Sequence, residues 1–414
     1  MMKAVVFTLG CKVNECESDS LIAGLSEMGY EVSDKLEKAD VYIVNTCAVT
    51  SEAEKKSRQT ASRIRKLNPN AKIIYVGCAS QKNPEAFADK GENVLVAGTF
   101  SKNKILSMLG DSGIRVSPYT TDFEELFAVK SLRERTYVKV QDGCNNFCSY
   151  CIVPYLRGRS RSRSPENVYE ELVSVKPVEA VLNGINLSAY DCDGVNLAGL
   201  IRRIKDVNCR IRLGSLEANV ITEEFLTALK GLRDFADHFH LSLQSGSDDV
   251  LKSMNRHYSC EDYAHKVELI RSYFPDAGIT TDVIAGFPTE TEEDFDKTLA
   301  FIDRIGFSDI HPFIYSPREG TVAYKMKDLP YDEKKRRLDL LLEKKQKCKD
   351  EFVKKQEGKI LSFLPEVMKD GYAEGYSGNY LRIYVKNYPC DNRISKVKII
   401  GKFKDGAEAI PETR

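Results

Sequence analysis

The feature that most constrains the fold is a regular alternation of short apolar runs with longer helix-like stretches. Residues 1–115 contain three runs with the character of buried strands, at Lys3–Leu9, Asp40–Val44 and Lys72–Val76. Helix-like stretches at Glu17–Met28 and Ser51–Leu67 separate them and are long enough for crossovers between parallel strands. This alternation predicts a small open α/β domain.

Six further strand-like runs follow after residue 135, again with helical segments between them. They lie at Thr136–Val140, Val178–Leu182, Ile211–Leu216, Phe239–Gln244, Ile279–Ile284 and Ile310–Ile314. Six βα units predict a partial, opened TIM-like (β/α)6 barrel over residues 135–350. Residues 116–134 lose this periodicity and are predicted to be a linker between the two α/β domains.

The last part of the chain changes character. Residues 332–356 are rich in Lys and Glu, with leucines near helical spacing, which predicts a long and half-exposed connecting helix. β-rich runs then occur at Lys359–Val367, Tyr380–Val385 and Ile394–Ile400, divided by glycines and Asn/Asp turns. They predict a small closed β-barrel within residues 351–414.

Composition limits the class of protein. The chain has 414 residues, of which 42% are hydrophobic and 29% charged, and no apolar run approaches the roughly 18 residues of a membrane span. We therefore expect a soluble, cytoplasmic protein of two or three domains. The formal net charge of zero gives no global sign of nucleic-acid binding, and twelve cysteines in a reducing compartment favour metal or cluster ligation over disulfides.

Three cysteines, Cys144, Cys148 and Cys151, have the spacing CxxxCxxC just after the first predicted barrel strand. Such thiols could form a disulfide, bind zinc or ligate an iron-sulfur cluster. A disulfide leaves one cysteine unpaired, and zinc lacks a nearby fourth ligand, since the nearest histidine is His238. Three thiolates suit a 4Fe-4S cubane whose fourth iron stays open, as in enzymes that cleave S-adenosylmethionine reductively. The spacing therefore predicts such a cluster.

Three more cysteines follow the three strands predicted in residues 1–115. Cys11, Cys47 and Cys78 each come one to three residues after a strand. Because parallel strands end at one edge of a sheet, these thiols are expected to converge there, where ligands bind. A second cluster with an open iron is the natural candidate, and small buried hydrophobic residues are the alternative.

Polar residues at the ends of the barrel strands are candidates to hold S-adenosylmethionine, whose ribose and ammonium need hydrogen-bond acceptors and carboxylates. They are Asn183, Gly184, Ser215, Glu217, Gln244 and Asp282. Each one alone could be an ordinary loop residue. Their repeated placement at one edge of the barrel supports the prediction.

Two further sets are candidates for contact with an anionic substrate or RNA. One is a run of alternating arginines, Arg157, Arg159, Arg161 and Arg163, which suits phosphates or a substrate carboxylate, with a solvated loop as the alternative. The other is Tyr380 with Arg382 in the terminal barrel, where an aromatic ring beside positive charge suits base stacking and where packing is equally consistent.

Over essentially its whole length the chain resembles the radical-SAM methylthiotransferase family. The motifs that carry the resemblance are Thr8–Asn14, Asn45–Thr50, Gly77–Cys78, Gly143–Cys151, Arg157–Arg163, Ser242–Gly246, Met254–Tyr258, Gly286–Pro288 and Tyr315–Thr321. The sequence Leu-Gly-Cys-Lys-Val-Asn at Leu9–Asn14 looks like the subfamily that acts on threonylcarbamoyladenosine beside the tRNA anticodon.

The resemblance implies two 4Fe-4S clusters, one auxiliary cluster on Cys11, Cys47 and Cys78 and one S-adenosylmethionine-binding cluster on Cys144, Cys148 and Cys151. Other cysteines, such as Cys16, are expected to be non-ligand thiols. The terminal barrel would be a TRAM domain that binds RNA.

The implied reaction inserts a methylthio group at carbon two of threonylcarbamoyladenosine, with S-adenosylmethionine as radical source and methyl donor. Expected partners are the anticodon loop of tRNA, an electron donor such as flavodoxin or ferredoxin, and a sulfur source. Alternative substrates are isopentenyladenosine in tRNA and an aspartate of a ribosomal protein. A non-catalytic, RNA-binding iron-sulfur redox sensor is the alternative from another class.

Overall fold

A computed structural model describes residues 1–88, 91, 93–100, 102–126 and 134–412. Three assemblies of secondary structure follow one another along the chain, in the order expected from the sequence. Two of them are α/β and the last is a β-barrel.

The amino-terminal domain is a parallel sheet of six strands covered by helices. Its strands are β1 (Lys3–Thr8), β2 (Glu31–Ser33), β3 (Val41–Thr46), β4 (Lys72–Gly77), β5 (Val94–Val96) and β6 (Gly113–Ile114). Its helices are α1 (Lys12–Glu27), α2 (Ser51–Leu67), α3 (Cys78–Lys82) and α4 (Glu85–Ala88). The strand order is β2-β1-β3-β4-β5-β6.

The three strands predicted for this domain are confirmed as neighbours in the sheet. All six residues of β3 are buried, since helices cover both of its faces, and this explains the continuous apolar run in the sequence. The three other strands have only two or three residues, too few to show a pattern of their own.

The second domain is an open barrel of parallel strands, accompanied by two short antiparallel pairs of strands. Its strands are β7 (Arg135–Lys139), β8 (Gln141–Asp142), β9 (Arg161–Ser162), β10 (Glu179–Asn183), β11 (Asp191–Cys192), β12 (Val195–Asn196), β13 (Arg210–Leu213), β14 (Ser215–Leu216), β15 (His238–Leu241), β16 (Gly278–Ala285) and β17 (Asp309–Ile314). Its helices are α5 (Val153–Arg157), α6 (Pro165–Val175), α7 (Leu197–Arg203), α8 (Glu223–Lys230), α9 (Asp248–Ser253), α10 (Cys260–Tyr273), α11 (Glu292–Ile305) and α12 (Tyr331–Gln356).

The predicted six-unit barrel is confirmed. Two parallel sheets, β13-β10-β7 and β14-β15-β16-β17, form its wall and meet where Gly214 separates β13 from β14. One continuous apolar core lies between these strands and the outer helices. Helices α10 and α11 begin with reciprocal capping boxes, at Ser259 with Asp262 and at Thr291 with Asp294, which fixes where the chain turns back from the strands.

The third domain is a closed barrel of five strands, β18 (Ile360–Lys369), β19 (Tyr372–Ser377), β20 (Arg382–Lys386), β21 (Ser395–Phe403) and β22 (Gly406–Pro411). Leu381, Ile383 and Val385 fill its interior, as their alternation predicts. Helix α12 runs through the boundary expected at residue 350 and packs on both β17 and β21, so it belongs to both domains.

The expected linker at residues 116–134 lies partly outside the described residues. In its described part, 116–126, the chain forms neither helix nor strand. Glu125 there accepts hydrogen bonds from Arg163 and Asn167 of the barrel domain. The helix α12, although 26 residues long, is rich in charge, and none of the described helices has the length and apolar character to cross a membrane.

A buried carboxylate joins the first two domains. Glu17 of α1 is fully buried and forms ion pairs with Lys102, with Lys139 of β7 at 2.9 Å and with Arg157 of α5 at 3.0 Å. Burial opposes the charge on Glu17, but the three cations outweigh it and hold the pKa of its carboxyl well below the usual range. The carboxylate therefore fixes α1 against the barrel.

Replacing Glu17 by Gln should destabilise the protein strongly, because three cations would remain buried without their anion. We expect a loss of about 3–5 kcal/mol in the free energy of unfolding, read from urea denaturation. The matched control is Glu52→Gln, which removes only an exposed pair with Lys56 and should leave the free energy of unfolding almost unchanged. Equal effects of the two changes would contradict the account.

Stability should also depend on acid pH through Glu179, whose partners are Arg210 and Arg212. Burial raises the pKa of this carboxyl, but the two arginines outweigh it and hold the pKa at about 2, against 4.5 for an unperturbed Glu. The stabilisation is complete above the unfolded pKa and is lost as the pH falls towards the folded one. We expect the urea midpoint to fall from about pH 5 to pH 3, with a smaller fall in Glu179→Gln. Identical pH profiles would contradict this assignment.

Candidate active site

The amino-terminal sheet brings three cysteines to one edge. Cys11 follows β1 and caps α1, Cys47 follows β3, and Cys78 begins α3 after β4. Because β1, β3 and β4 are adjacent and parallel, their carboxyl ends lie side by side, and the three thiols influence one another electrostatically. We call Cys11, Cys47 and Cys78 the sheet-edge thiols.

Glycine permits this close approach. Gly10 has φ +120°, and a Cβ at this position would lie 2.9 Å from the Cβ and 3.1 Å from the Sγ of Cys47. Any larger residue would therefore displace a thiol as well as strain the backbone. Glycine at position 10 is therefore needed for the packing against Cys47 as well as for the turn after β1.

The sheet-edge thiols differ in exposure. Cys11 is exposed, whereas Cys47 and Cys78 are buried. Burial raises the pKa of Cys47 to about 12. Burial also raises the pKa of Cys78, but the positive charge of the Arg157 guanidinium opposes the rise. A thiolate at Cys78 thus has a cation beside it.

The other three cysteines lie on a tight loop that follows β7 and β8. We call Cys144, Cys148 and Cys151 the central-loop thiols. The loop turns at Gly143, where φ is +70° and a Cβ would lie 2.0 Å from the carbonyl oxygen of Arg159, so glycine is required. A backbone hydrogen bond of 2.9 Å from Cys151 to Cys148 closes its second half.

Polar side chains surround the central-loop thiols. Asn186 Nδ2 lies 3.8 Å from Cys144 Sγ, and Arg256 Nη1 lies 3.4 Å from Cys148 Sγ. Burial raises the pKa of Cys151 to about 12. Arg256 also pairs with Glu217 at 3.1 Å, so a carboxylate orients the guanidinium that donates to the sulfur.

A single cavity of about 510 Å³ joins the two sets of thiols. Cys11 and Cys47 line it from the amino-terminal domain, and Cys151 lines it from the central loop. Most of its remaining wall is apolar or aromatic, with Gln244 and Asp282 as the polar residues contributed by the barrel strands. The cavity is therefore shaped for a flat, largely apolar group held between two sets of sulfur ligands.

The predicted strand-end residues separate into three positions. Gln244 and Asp282 line the cavity, and the two are joined by a backbone hydrogen bond of 2.9 Å. Glu217 lies at the central loop, where it accepts from Asn146 at 2.6 Å. Asn183 is buried, while Ser215 is exposed and Gly184 packs against Gln141, so the cavity wall does not include these three.

Three residues of the arginine run are buried in ion pairs within the protein. Arg157 is buried against Glu17 and Asp142, Arg161 against Asp142, and Arg163 against Glu125 and Glu171. Their charges are neutralised inside the protein by these carboxylates. Arg159 is exposed, with its guanidinium 4.5 Å from the ring of Phe147.

The two terminal-barrel candidates are also engaged internally. Tyr380 is stacked between Tyr376, at 4.7 Å, and His238 of β15, at 4.3 Å. Arg382 pairs with Glu374 and with Asp405, both at 2.7 Å. Tyr380 therefore docks the terminal barrel onto the open barrel, and the packing alternative holds for it.

Sequence reasoning missed Asn186 and Arg256 as neighbours of the sulfurs, and Arg157 as the cation beside Cys78. Arg256 lies in the motif Met254–Tyr258, which carries a family resemblance but no local sign of a contact with sulfur. No local pattern marks Asn186, since its position depends on how β10 meets the central loop.

Both sets fit the predicted clusters by their chemistry. Each offers three thiols, and each has a guanidinium beside it, which compensates the negative charge of bound thiolates. In the described part of the chain, no three His, Cys, Asp or Glu side chains are arranged to hold a single metal ion. Each set instead offers three cysteine ligands to a cubane, one for each of three of its irons.

Comparison with known proteins agrees with this site. The radical SAM superfamily matches residues 138–302, and this defines the class of the open barrel with its central-loop thiols. Residues 3–98 match a family described as the uncharacterised protein family UPF0004.

Curated relatives extend the match over almost the whole chain. "Threonylcarbamoyladenosine tRNA methylthiotransferase MtaB" of Bacillus subtilis (strain 168) is 37% identical, over 96% of this chain and 94% of its own length. "tRNA-2-methylthio-N(6)-dimethylallyladenosine synthase" of Thermoanaerobacter sp. (strain X514) is 38% identical, over 87% of this chain and 81% of its own length. The chain therefore belongs to the radical-SAM tRNA methylthiotransferase family. It is an enzyme whose cofactors are 4Fe-4S clusters and S-adenosylmethionine.

A solved structure shares the fold. The radical S-adenosylmethionine methyltransferase TsrM from Kitasatospora setae superposes with a TM-score of 0.53 at 15% identity, covering 76% of this chain and 75% of that chain.

Changing Gly10 to Ala should disturb the sheet-edge thiols selectively, because the new methyl group would meet Cys47. After reconstitution, we expect the iron bound per chain to fall to about half of the wild-type value, as one of two cubanes is lost. The control is Gly29→Ala, at a position that also has positive φ but where an added Cβ would have no atom within 4 Å. Full iron content in Gly10→Ala would show that the turn does not shape a cluster site.

Proposed function

We propose that this enzyme inserts a methylthio group at carbon two of threonylcarbamoyladenosine beside the anticodon of tRNA, with S-adenosylmethionine as radical source and methyl donor. The observation that supports it best is the cavity lined by both sheet-edge and central-loop thiols. Replacing a ring hydrogen by sulfur requires hydrogen removal and sulfur delivery at the same carbon. One cavity bordered by two sulfur-ligand sets meets this requirement.

Each set of thiols has its own part in this proposal. The central-loop thiols would hold the cluster that binds S-adenosylmethionine, and the sheet-edge thiols would hold the auxiliary cluster. When bound, these groups supply the electron that cleaves S-adenosylmethionine and the iron site that carries the transferred sulfur. Carbon two of adenine has no acidic hydrogen, so no general base of the chain could replace them.

The chain itself positions the reactants and excludes water. Tyr150, Phe313 and Tyr315 offer aromatic walls to a base within the cavity. Gln244 and Asp282 present polar groups at the barrel end, where the ribose of S-adenosylmethionine would bind, and Glu217 beside the central loop is placed for its ammonium. Such a dry wall protects a reactive organic radical from side reactions.

The tRNA would reach the cavity with its target base turned out of the anticodon loop, since a stacked base cannot enter an enclosed site. Tyr380 and Arg382 are engaged in contacts within the protein, so we propose that other residues of the terminal barrel also meet the RNA backbone. Lys396 and Lys398 alternate on the outward face of β21 and are exposed, which suits phosphate contacts. A flavodoxin or ferredoxin as electron donor and a separate sulfur source complete the proposed set of partners.

Choice of substrate is the finer part of the proposal. The two relatives differ in the modified base that their names give, and their identities to this chain, 37% and 38%, do not separate them. The threonylcarbamoyl substrate is preferred because of the Leu9–Asn14 motif. Mass spectrometry of tRNA nucleosides from a deletion strain tests this directly. If the deletion strain instead lacks the methylthio form of dimethylallyladenosine, the threonylcarbamoyl assignment is rejected.

Substitution of one cysteine from each set should separate the two halves of the reaction. With reduced enzyme and S-adenosylmethionine, Cys144→Ala should lower formation of deoxyadenosine by at least about 100-fold. Cys47→Ala should retain deoxyadenosine formation yet produce no methylthiolated nucleoside, because only the sheet-edge set is disrupted.

The matched control is Cys348→Ala, a buried cysteine of the barrel core that lies apart from both thiol sets. This variant should retain both products. Methylthiolation by Cys47→Ala at the wild-type rate would disprove the two-cluster assignment, and failure of both products in Cys348→Ala would show that the assay reports folding alone.

A further inference from the structure

An unpaired lysine lies between the two domains, directly after a sheet-edge thiol. Lys12 is the first residue of α1 and follows Cys11, which lines the cavity. The ammonium of Lys12 makes no hydrogen bond or ion pair with any residue that the structure describes. Its ammonium is exposed to solvent in the unliganded protein and is therefore available to an anionic ligand.

The surroundings of Lys12 are rich in positive charge. Its side chain is accessible from the open space between the domains, yet protein surrounds that space on most sides. Two cations, Arg135 and Arg212, act on Lys12 electrostatically, whereas Asp282 is the carboxylate that acts on it. Lys12 therefore lies in a region where cations exceed nearby anions.

The anions in this region are already engaged. The carboxylate of Asp282 lies 3.2 Å from Nε2 of His240. The two arginines have their own partners, Glu366 for Arg135 and Glu179 for Arg212. A carboxylate brought by a ligand is the group that this region lacks.

We propose that Lys12 binds the carboxylate of the threonylcarbamoyl group and so selects this substrate over uncharged modifications of the same adenine. The inference rests on the proposed function, since only that substrate carries a carboxylate next to the reacting base. The position of Lys12 beside Cys11 places the charged arm near the sheet-edge thiols, with the base in the cavity.

The same arrangement works against a neutral competitor. A dimethylallyl group would occupy the region without supplying an anion, leaving the Lys12 ammonium desolvated and unpaired. Discrimination would then come from the unsatisfied charge as much as from the new ion pair. S-adenosylmethionine also has a carboxylate, but the candidate contact of the adjacent ammonium, Glu217, lies at the central loop beside Arg256.

The test uses reconstituted enzyme with four substrates: tRNA carrying threonylcarbamoyladenosine, the same tRNA with that carboxylate converted to a methyl ester, tRNA carrying dimethylallyladenosine, and S-adenosylmethionine. In Lys12→Met, we expect the KM for the acid tRNA to rise on the order of 30-fold or more. The KM for the ester tRNA and for S-adenosylmethionine should stay unchanged, as should iron content. Lys12→Arg should recover much of the loss.

The control is Lys38→Met, which removes an exposed lysine of the same domain and should change none of these values. An unchanged KM for the acid tRNA in Lys12→Met, an equal loss on the ester, or a raised KM for S-adenosylmethionine would each overturn the assignment of Lys12.

The wild-type enzyme tests the proposed function separately. If it methylthiolates only the dimethylallyl tRNA, both proposals fail, whereas activity on the acid tRNA with an unaffected Lys12→Met rejects the Lys12 proposal alone.

Discussion

The site depends on one buried carboxylate, that of Glu17. Its ion pairs with Lys102, Lys139 and Arg157 join helix α1 to the barrel. Because α1 begins directly after Cys11, the carboxylate fixes the position of that thiol relative to the central loop. Since an ion pair inside a protein tolerates little displacement, the two domains are held in one relative position. The shared cavity follows from this constraint.

The same network links charge to chemistry. Arg157 is paired with Glu17, and its positive charge also opposes the rise in the pKa of Cys78, so it serves both the domain contact and the sulfur ligand. Burial alone would disfavour thiolates at these positions, as the raised pKa of Cys47 and Cys151 indicates. Iron together with nearby guanidinium groups offsets that cost. The surrounding wall can therefore remain apolar without preventing cluster binding.

Much of the fold could be predicted because long parallel strands leave apolar runs in the sequence. The cysteines could be placed at strand ends for the same reason, since chain order alone determines which strand each one follows. The roles of Arg157, Tyr380 and Arg382 could not be predicted, because a local charge pattern does not reveal partners such as Glu17, which is 140 residues away. Lys12 could not be singled out from the sequence either. What distinguishes it is that no described residue pairs with it, and only the folded structure reveals this.

The central claim is that the two thiol sets border one cavity, and electron paramagnetic resonance of the fully reduced, reconstituted enzyme tests it most directly. Two reduced clusters at the edges of one cavity should couple magnetically, giving broadened or split signals. The account predicts that Cys47→Ala leaves a simple signal from the central-loop cluster alone. A wild-type spectrum equal to the sum of two independent clusters would contradict the account.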